Sequence, residues 1–181
     1  THETEWGFSC MSYEISGALG IKMANPDKEV ISFVGDGSYL LNNTDIYSSV
    51  ITKNKLIIIV CDNGGFAVIN RLQLFKGGNE YNNLLKSSNT PGLVDVDFAK
   101  HAESMGAKSE HVNSISDLEE AFKRAKKSDV TYVISIKTHA YQWLEGSAFW
   151  DSPTLEIPTT KENKEALKLY KEGKSKQRQG V

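Results

Sequence analysis

Short apolar runs rich in β-branched residues alternate along the chain with amphipathic segments. Residues 29–34, 55–61 and 130–136 read as strands, and a weaker run lies near Lys108 to Val112. Their hydrophobicity is nearly continuous, which predicts strands covered on both faces in a parallel sheet. Helices are expected between them. One covers residues 11–24 and stops before Asn25-Pro26; another covers 43–52, with Asn42 and Asn43 as N-cap residues. A third covers 97–105 and is closed by Gly106, and a fourth, opened by the capping box Ser116-Asp-Leu-Glu119, runs to about Lys127. Strand and helix in this alternation specify an α/β domain: a mostly parallel sheet in a three-layer αβα arrangement.

Two segments break the pattern. Residues 70–95 hold Gly77-Gly78, several Asn and Pro91-Gly92, and are long for an ordinary connection; such loops are commonly functional or disordered. Beyond Lys137 come the aromatic residues Tyr141, Trp143, Phe149 and Trp150, then a lysine-rich, helix-like end from Lys161. Composition narrows the class. With 181 residues, 39% of them hydrophobic, the chain is one domain or one domain with an appendage: residues 1–140, with 141–181 as an extension. Two cysteines, Cys10 and Cys61, exclude a disulfide scaffold and a zinc site built from cysteine alone. A net charge of −2 gives no bias towards nucleic acid, and no apolar run approaches the roughly 20 residues that span a bilayer. The opening residues have neither an initiator Met nor a signal-peptide pattern and read like a domain cut from a longer protein, although a processed terminus would look the same.

Candidate chemistry concentrates after two strands. Gly35-Asp36-Gly37-Ser38 follows the first, at the carboxyl end where parallel sheets bind ligands. Its glycines allow close approach of an anion, and Asp36 can offer a carboxylate to Mg²⁺; a plain glycine-rich turn is equally compatible with these four residues. The second strand ends in Asp62-Asn63-Gly64-Gly65. Asp36 and Asn63, 27 positions apart, are spaced as two neighbouring carboxyl-end turns would be. A carboxylate, an amide oxygen, a carbonyl and phosphate oxygens make the all-oxygen shell magnesium prefers. The P-loop, the dinucleotide fingerprint G-x-G-x-x-G and the nucleophile motif G-x-S-x-G are all absent from the sequence.

The GDGS turn, a helix, an apolar strand and Asp-Asn together resemble the diphosphate-binding domain of thiamine-diphosphate enzymes, in the broad group of acetolactate synthases and 2-oxo-acid decarboxylases. Within it, the stretches 6–11, 62–66, 69–73, 96–100 and 141–150 are similar to the inositol-catabolism subfamily that hydrolyses trihydroxycyclohexane-1,2-dione. The resemblance implies thiamine diphosphate and Mg²⁺ as cofactors. Asp36 and Asn63 would bind the metal through side chains and Gly65 through its carbonyl. Gly35, Gly37 and Ser38, with the turn at Phe66, would hold diphosphate. Ser9 would take the 4′-amino group on its carbonyl, Met11 would buttress the thiazolium ring, and Ala67 and Val68 would line its edge. The implied activity is C–C bond hydrolysis of a cyclic 1,2-diketone. A 2-oxo-acid decarboxylase, an acetolactate-type synthase and a non-catalytic cofactor-binding subunit share the same residues and stay open.

In this family the activating glutamate comes from a pyrimidine-binding domain of the same or another subunit, usually within a homo-oligomer. Glu3, Glu5 and Glu14 do not match that role, so the chain alone is expected to be inactive. Arg71 and Gln73 are candidate polar contacts for the small-molecule substrate, and His139, after the last strand, is a further one. His101, His111, Cys10 and Cys61 are expected to serve packing, and the aromatic segment is expected to pack against a neighbouring domain.

Overall fold

A computed structural model describes residues 1–3, 10–90, 92, 94–143 and 154–177. They group into two compact units, one of residues 1–65 with 92–139 and the other of residues 66–91 with 140–181.

The first unit is a parallel sheet with helices on both faces. Its strands are β1 (Ile31–Gly35), β2 (Ile57–Asp62), β3 (Lys108–Val112) and β4 (Tyr132–Lys137), ordered β1-β2-β4-β3 with every pairing parallel. Helices α1 (Tyr13–Ala24), α2 (Asp36–Leu41), α3 (Thr44–Ile51), α5 (Phe98–Ser104) and α6 (Ile115–Lys127) connect and cover them, and α4 (Ala67–Phe75) belongs to the second unit. Because side chains alternate along a strand, Ile58, Val60 and Val133 pack with Ile15, Tyr39, Ile46 and Phe98 on one face. Ile57, Ile59, Ile134 and Ile136 pack with Ala121 and Ala125 of α6 on the other. The three-layer α/β expectation therefore holds.

Coverage of both faces holds for β2 and β4 and fails at β1. There Ile31 is 41% and Phe33 64% exposed, because α6 covers only the β2, β3 and β4 side of that face. Three local expectations are also corrected. The α6 cap is Ser114, whose extended backbone lets its hydroxyl accept from the Asp117 N–H at 3.0 Å, so the helix starts before Ser116. Asn43 occupies the α3 cap position without capping it; its amide donates to the Tyr39 carbonyl instead. Residues Asn70 to Phe75 form the body of α4 and not a loop.

The second unit contains α4, a 3₁₀ turn at Leu85–Ser87 and α7 (Lys161–Lys176), which Thr160 caps. Fully buried Asn70 donates to Glu80 Oε1 at 3.0 Å, and Asn163 of α7 donates to the Gly77 carbonyl at 2.7 Å. Among the described residues no helix is long and apolar enough to cross a membrane.

Candidate functional site

The carboxyl ends of β1 and β2 lie side by side, with Gly35 paired to Cys61. The chain leaves β1 at Gly35 straight into α2, whose first residues Asp36, Gly37 and Ser38 are buried. Their N–H groups sit in the first helical turn, where no intrahelical acceptor exists. Ser38 Oγ accepts from the Ser12 N–H at 3.2 Å, which ties α2 to the segment entering α1. Ser12 there has a φ of 79°, and the adjacent Met11 is 37% exposed.

At the end of β2, Gly64 and Gly65 have φ values of 79° and 138°, conformations that L side chains avoid. They fold the backbone back over Asp36. Its Oδ1 accepts from the Asn63 N–H at 3.2 Å and its Oδ2 from the Gly65 N–H at 2.6 Å. The N–H between them, on Gly64, goes to Asp62 Oδ1 at 3.1 Å. Two buried carboxylates thus hold three successive backbone donors.

The end of the Asn63 amide lies 3.2 Å from Asp36 Oδ1 and 2.9 Å from the Gly65 carbonyl, and with its N–H groups turned towards them it donates to both. With its oxygen turned there instead, the cluster needs a cation in its midst. Octahedral Mg²⁺ with bonds of 2.0–2.1 Å sets neighbouring ligands about 2.9 Å apart, so the donor set and its spacing fit that ion. Among the described residues no group of three His, Cys, Asp or Glu side chains could hold a metal ion, so an ion here would draw its other ligands from amide, carbonyl and phosphate oxygens.

Burial pushes the Asp36 carboxyl above the ordinary aspartate range, and the neighbouring Asp62 charge adds to this, while the N–H donors from the turn oppose it. Asp62 is answered by Lys137 Nζ at 2.7 Å, which also reaches Asp95 at 2.7 Å. These bonds, first to Asp62 and then to Asp95, raise the ammonium's pKa. Lys137 and Asp95 escaped the sequence reading. No local signal marks the pair, because Lys137 and Asp62 meet only as register partners at the ends of β4 and β2.

Of the other candidates, Ser9 lies outside the described residues, as do Phe149 and Trp150. Phe66, Ala67 and Val68 stand at the start of α4 in the second unit, Ala67 buried and the other two exposed. Arg71 lies 4.9 Å from the Trp143 ring centroid, and Gln73 accepts from the Asn83 amide. His101 bonds the buried Tyr39 hydroxyl at 2.9 Å and His111 bonds Ser135 at 3.0 Å, the packing roles expected of them. His139 is exposed.

The two cysteines differ in reactivity by this geometry. Cys10 is exposed, whereas burial, and after it the Asp36 charge, raises the Cys61 thiol. Thiolate is the reacting form, so iodoacetamide at pH 8 is expected to label Cys10 at least about 10-fold faster. Equal labelling rates, followed by peptide mass, would contradict the burial of Cys61.

Residues 1–136 match the family described as thiamine pyrophosphate enzyme, C-terminal TPP binding domain. The chain is 37% identical over 172 residues to a Bacillus licheniformis protein named 3D-(3,5/4)-trihydroxycyclohexane-1,2-dione hydrolase, covering 94% of this chain and 26% of that protein. A Shouchella clausii protein of the same name is 40% identical over 151 residues, covering 83% and 23% respectively. Among solved structures, the thiamine diphosphate-dependent 4-hydroxybenzoylformate decarboxylase of Rhodococcus jostii RHA1 superposes with a TM-score of 0.59 at 28% identity, over 71% of this chain and 23% of that one. The chain spans about a quarter of the length of the curated relatives it matches.

Proposed function

The chain belongs to the thiamine pyrophosphate enzymes, as a member of their C-terminal TPP-binding domain family, and on that premise we propose that the turns 35–38 and 62–65 hold the cofactor's diphosphate through Mg²⁺. Asp36 and Asn63 bind the metal by side-chain oxygens and Gly65 by its carbonyl. The N–H groups of Gly37 and Ser38, in the turn that Gly35 opens, receive diphosphate oxygens, and Ser9 and Met11 on the segment entering α1 contact the organic rings. The convergence of the Asp36 carboxylate, the Asn63 amide and the Gly65 carbonyl at one turn supports this reading. Mg²⁺ acts here as an anchor for the diphosphate.

The protein we propose is a hydrolase that breaks a C–C bond of trihydroxycyclohexane-1,2-dione in myo-inositol catabolism, a cytoplasmic role. Residues 1–140 are the cofactor-binding domain and 141–181 its extension. The observation carrying the substrate is that relatives 34–40% identical bear the name of that hydrolase. Thiamine diphosphate, when bound, supplies an electron sink for cleavage beside a carbonyl, while the protein orients and desolvates the reacting groups. The activating glutamate lies on a pyrimidine-binding domain of the same or another subunit in a homo-oligomer, so the chain by itself turns over no substrate.

A 2-oxo-acid decarboxylase is the second reading, favoured by the structural likeness to a decarboxylase. The complete protein with thiamine diphosphate and Mg²⁺ distinguishes the two. Offered the diketone and, separately, pyruvate, it is expected to open the ring without releasing CO₂. Release of CO₂ from pyruvate with the diketone untouched would move the chain to the decarboxylase branch and leave the cofactor site standing.

A further inference from the structure

The pair Asp62–Lys137 is built into the sheet. The two residues are register partners at the ends of β2 and β4, and the bond from Lys137 Nζ to Asp62 Oδ2 is 2.7 Å. Asp62 is 5% exposed, and its other oxygen accepts from the Gly64 N–H at 3.1 Å. Its backbone carbonyl accepts from the Thr138 N–H at 2.7 Å, so both ends of Asp62 are fixed by β4 and the residue after it. Asp95 accepts from the same ammonium at 2.7 Å and restrains it from the outer side. Gly64 lies between Asn63 and Gly65, whose N–H groups both go to Asp36 and whose amide and carbonyl groups lie 2.9 Å from one another.

We propose that Lys137 is the positioning residue of this turn: by holding the Asp62 carboxylate where it binds the Gly64 N–H, it sets the Asn63 and Gly65 oxygens at the spacing a divalent cation needs. The inference rests on the metal reading above. Lys137 does not touch the metal in this account. It acts through Asp62, as outer-shell partners do when they fix ligand geometry. Without the ammonium, Asp62 and Asp36 confront each other as two buried carboxylates, and Asp62 is free to leave the turn.

The test is a calorimetric titration of Mg²⁺ into the complete protein at saturating thiamine diphosphate. Lys137→Met is expected to weaken Mg²⁺ binding by about 10- to 100-fold, the range found for outer-shell partners, and Lys137→Arg to restore most of it. A double-mutant cycle with Asp62→Asn adds a readout that general destabilisation does not move. Asparagine keeps an acceptor for Gly64 without needing a counter-ion, so Lys137→Met is expected to cost far less in that background. Binding by Lys137→Met within twofold of the parent, or tighter than it, overturns the inference, as does a full additive loss in the cycle. Asp36→Ala serves as the control. If it loses Mg²⁺ while Lys137→Met keeps it, only the positioning role fails; if it binds as the parent does, the metal reading fails with it.

Discussion

Asp36→Ala is expected to weaken Mg²⁺-dependent binding of thiamine diphosphate by at least about 100-fold, more than the loss of an outer-shell partner. Two functions vanish together in this variant. The metal loses its one charged protein ligand, and the Asn63 and Gly65 N–H groups lose the carboxylate that orders their turn. Leaving a half-buried donor unpaired costs about 1–3 kcal/mol, so the metal-free protein is also expected to melt earlier. Asp36→Asn keeps the shape and one acceptor, and is expected to fall between parent and alanine in affinity. Calorimetry with and without Mg²⁺ checks both. Equal cofactor affinity in Asp36→Ala and parent would show that the metal is bound elsewhere.

The same carboxyl gives the binding a pH dependence. Burial, reinforced by Asp62, raises its pKa above the usual aspartate value, so protons compete with Mg²⁺ at a higher pH than they would for an exposed aspartate. Mg²⁺ affinity is therefore expected to decline as pH falls through that raised value. For folding without metal the sign reverses. Between the ordinary unfolded pKa and the raised folded one, the folded state binds more protons, so this group stabilises the metal-free fold increasingly as pH falls through that window.

Gly77→Ala is expected to produce the largest loss of stability outside the site. Gly77 has a φ of 79°, and a Cβ there would stand 2.6 Å from the Glu162 carbonyl group and 2.8 Å from the Asn163 nitrogen. Those atoms are helix backbone and cannot turn aside as a side chain would. The same contact carries the bond from the Asn163 amide to the Gly77 carbonyl, by which α7 is fastened to its unit. Left-handed strain of about 1–2 kcal/mol and an overpacking penalty of about 1–3 kcal/mol together predict a loss of about 2–5 kcal/mol. Limited proteolysis should then cut at α7 first. Gly20→Ala in α1, whose added methyl meets nothing within 4 Å, is the control and is expected to stabilise by roughly 0.5–1 kcal/mol. Equal denaturation midpoints for Gly77→Ala and parent would show that α7 is not held at this point.

Several parts of this structure are written in the local sequence. Lys108–Val112 forms a strand as its weak apolar signal implies, and the helix expected over residues 97–105 is present as α5, Phe98–Ser104. Asp36 and Asn63 do meet, because a 27-residue interval joins two carboxyl-end turns of neighbouring parallel strands. What escaped depended on partners distant in sequence or on competing local signals. Asp36–Leu41 is helical although two of the four GDGS residues are glycines, poor helix formers that read as a turn. In α4, the fully buried Asn70 occupies a core position and breaks the apolar period that would have announced a helix. Lys137 reads as the polar end of a strand; its pairing with Asp62 exists only in the β2–β4 register. The exposed face of β1 was hidden for the converse reason, since Ile31 and Phe33 look like core residues in any window.

The central claim is that the oxygens of Asp36, Asn63 and Gly65 are the protein's share of a metal shell that anchors thiamine diphosphate. It is tested most directly by a crystal structure of the complete protein grown with thiamine diphosphate and Mn²⁺ in place of Mg²⁺. The account predicts one anomalous peak in bonding contact with Asp36 Oδ1, the Asn63 amide oxygen and the Gly65 carbonyl, with diphosphate oxygens completing the shell. An ordered cofactor whose anomalous peak touches none of these three, or an Asn63 amide turned to donate to Asp36 beside a bound diphosphate, would contradict it.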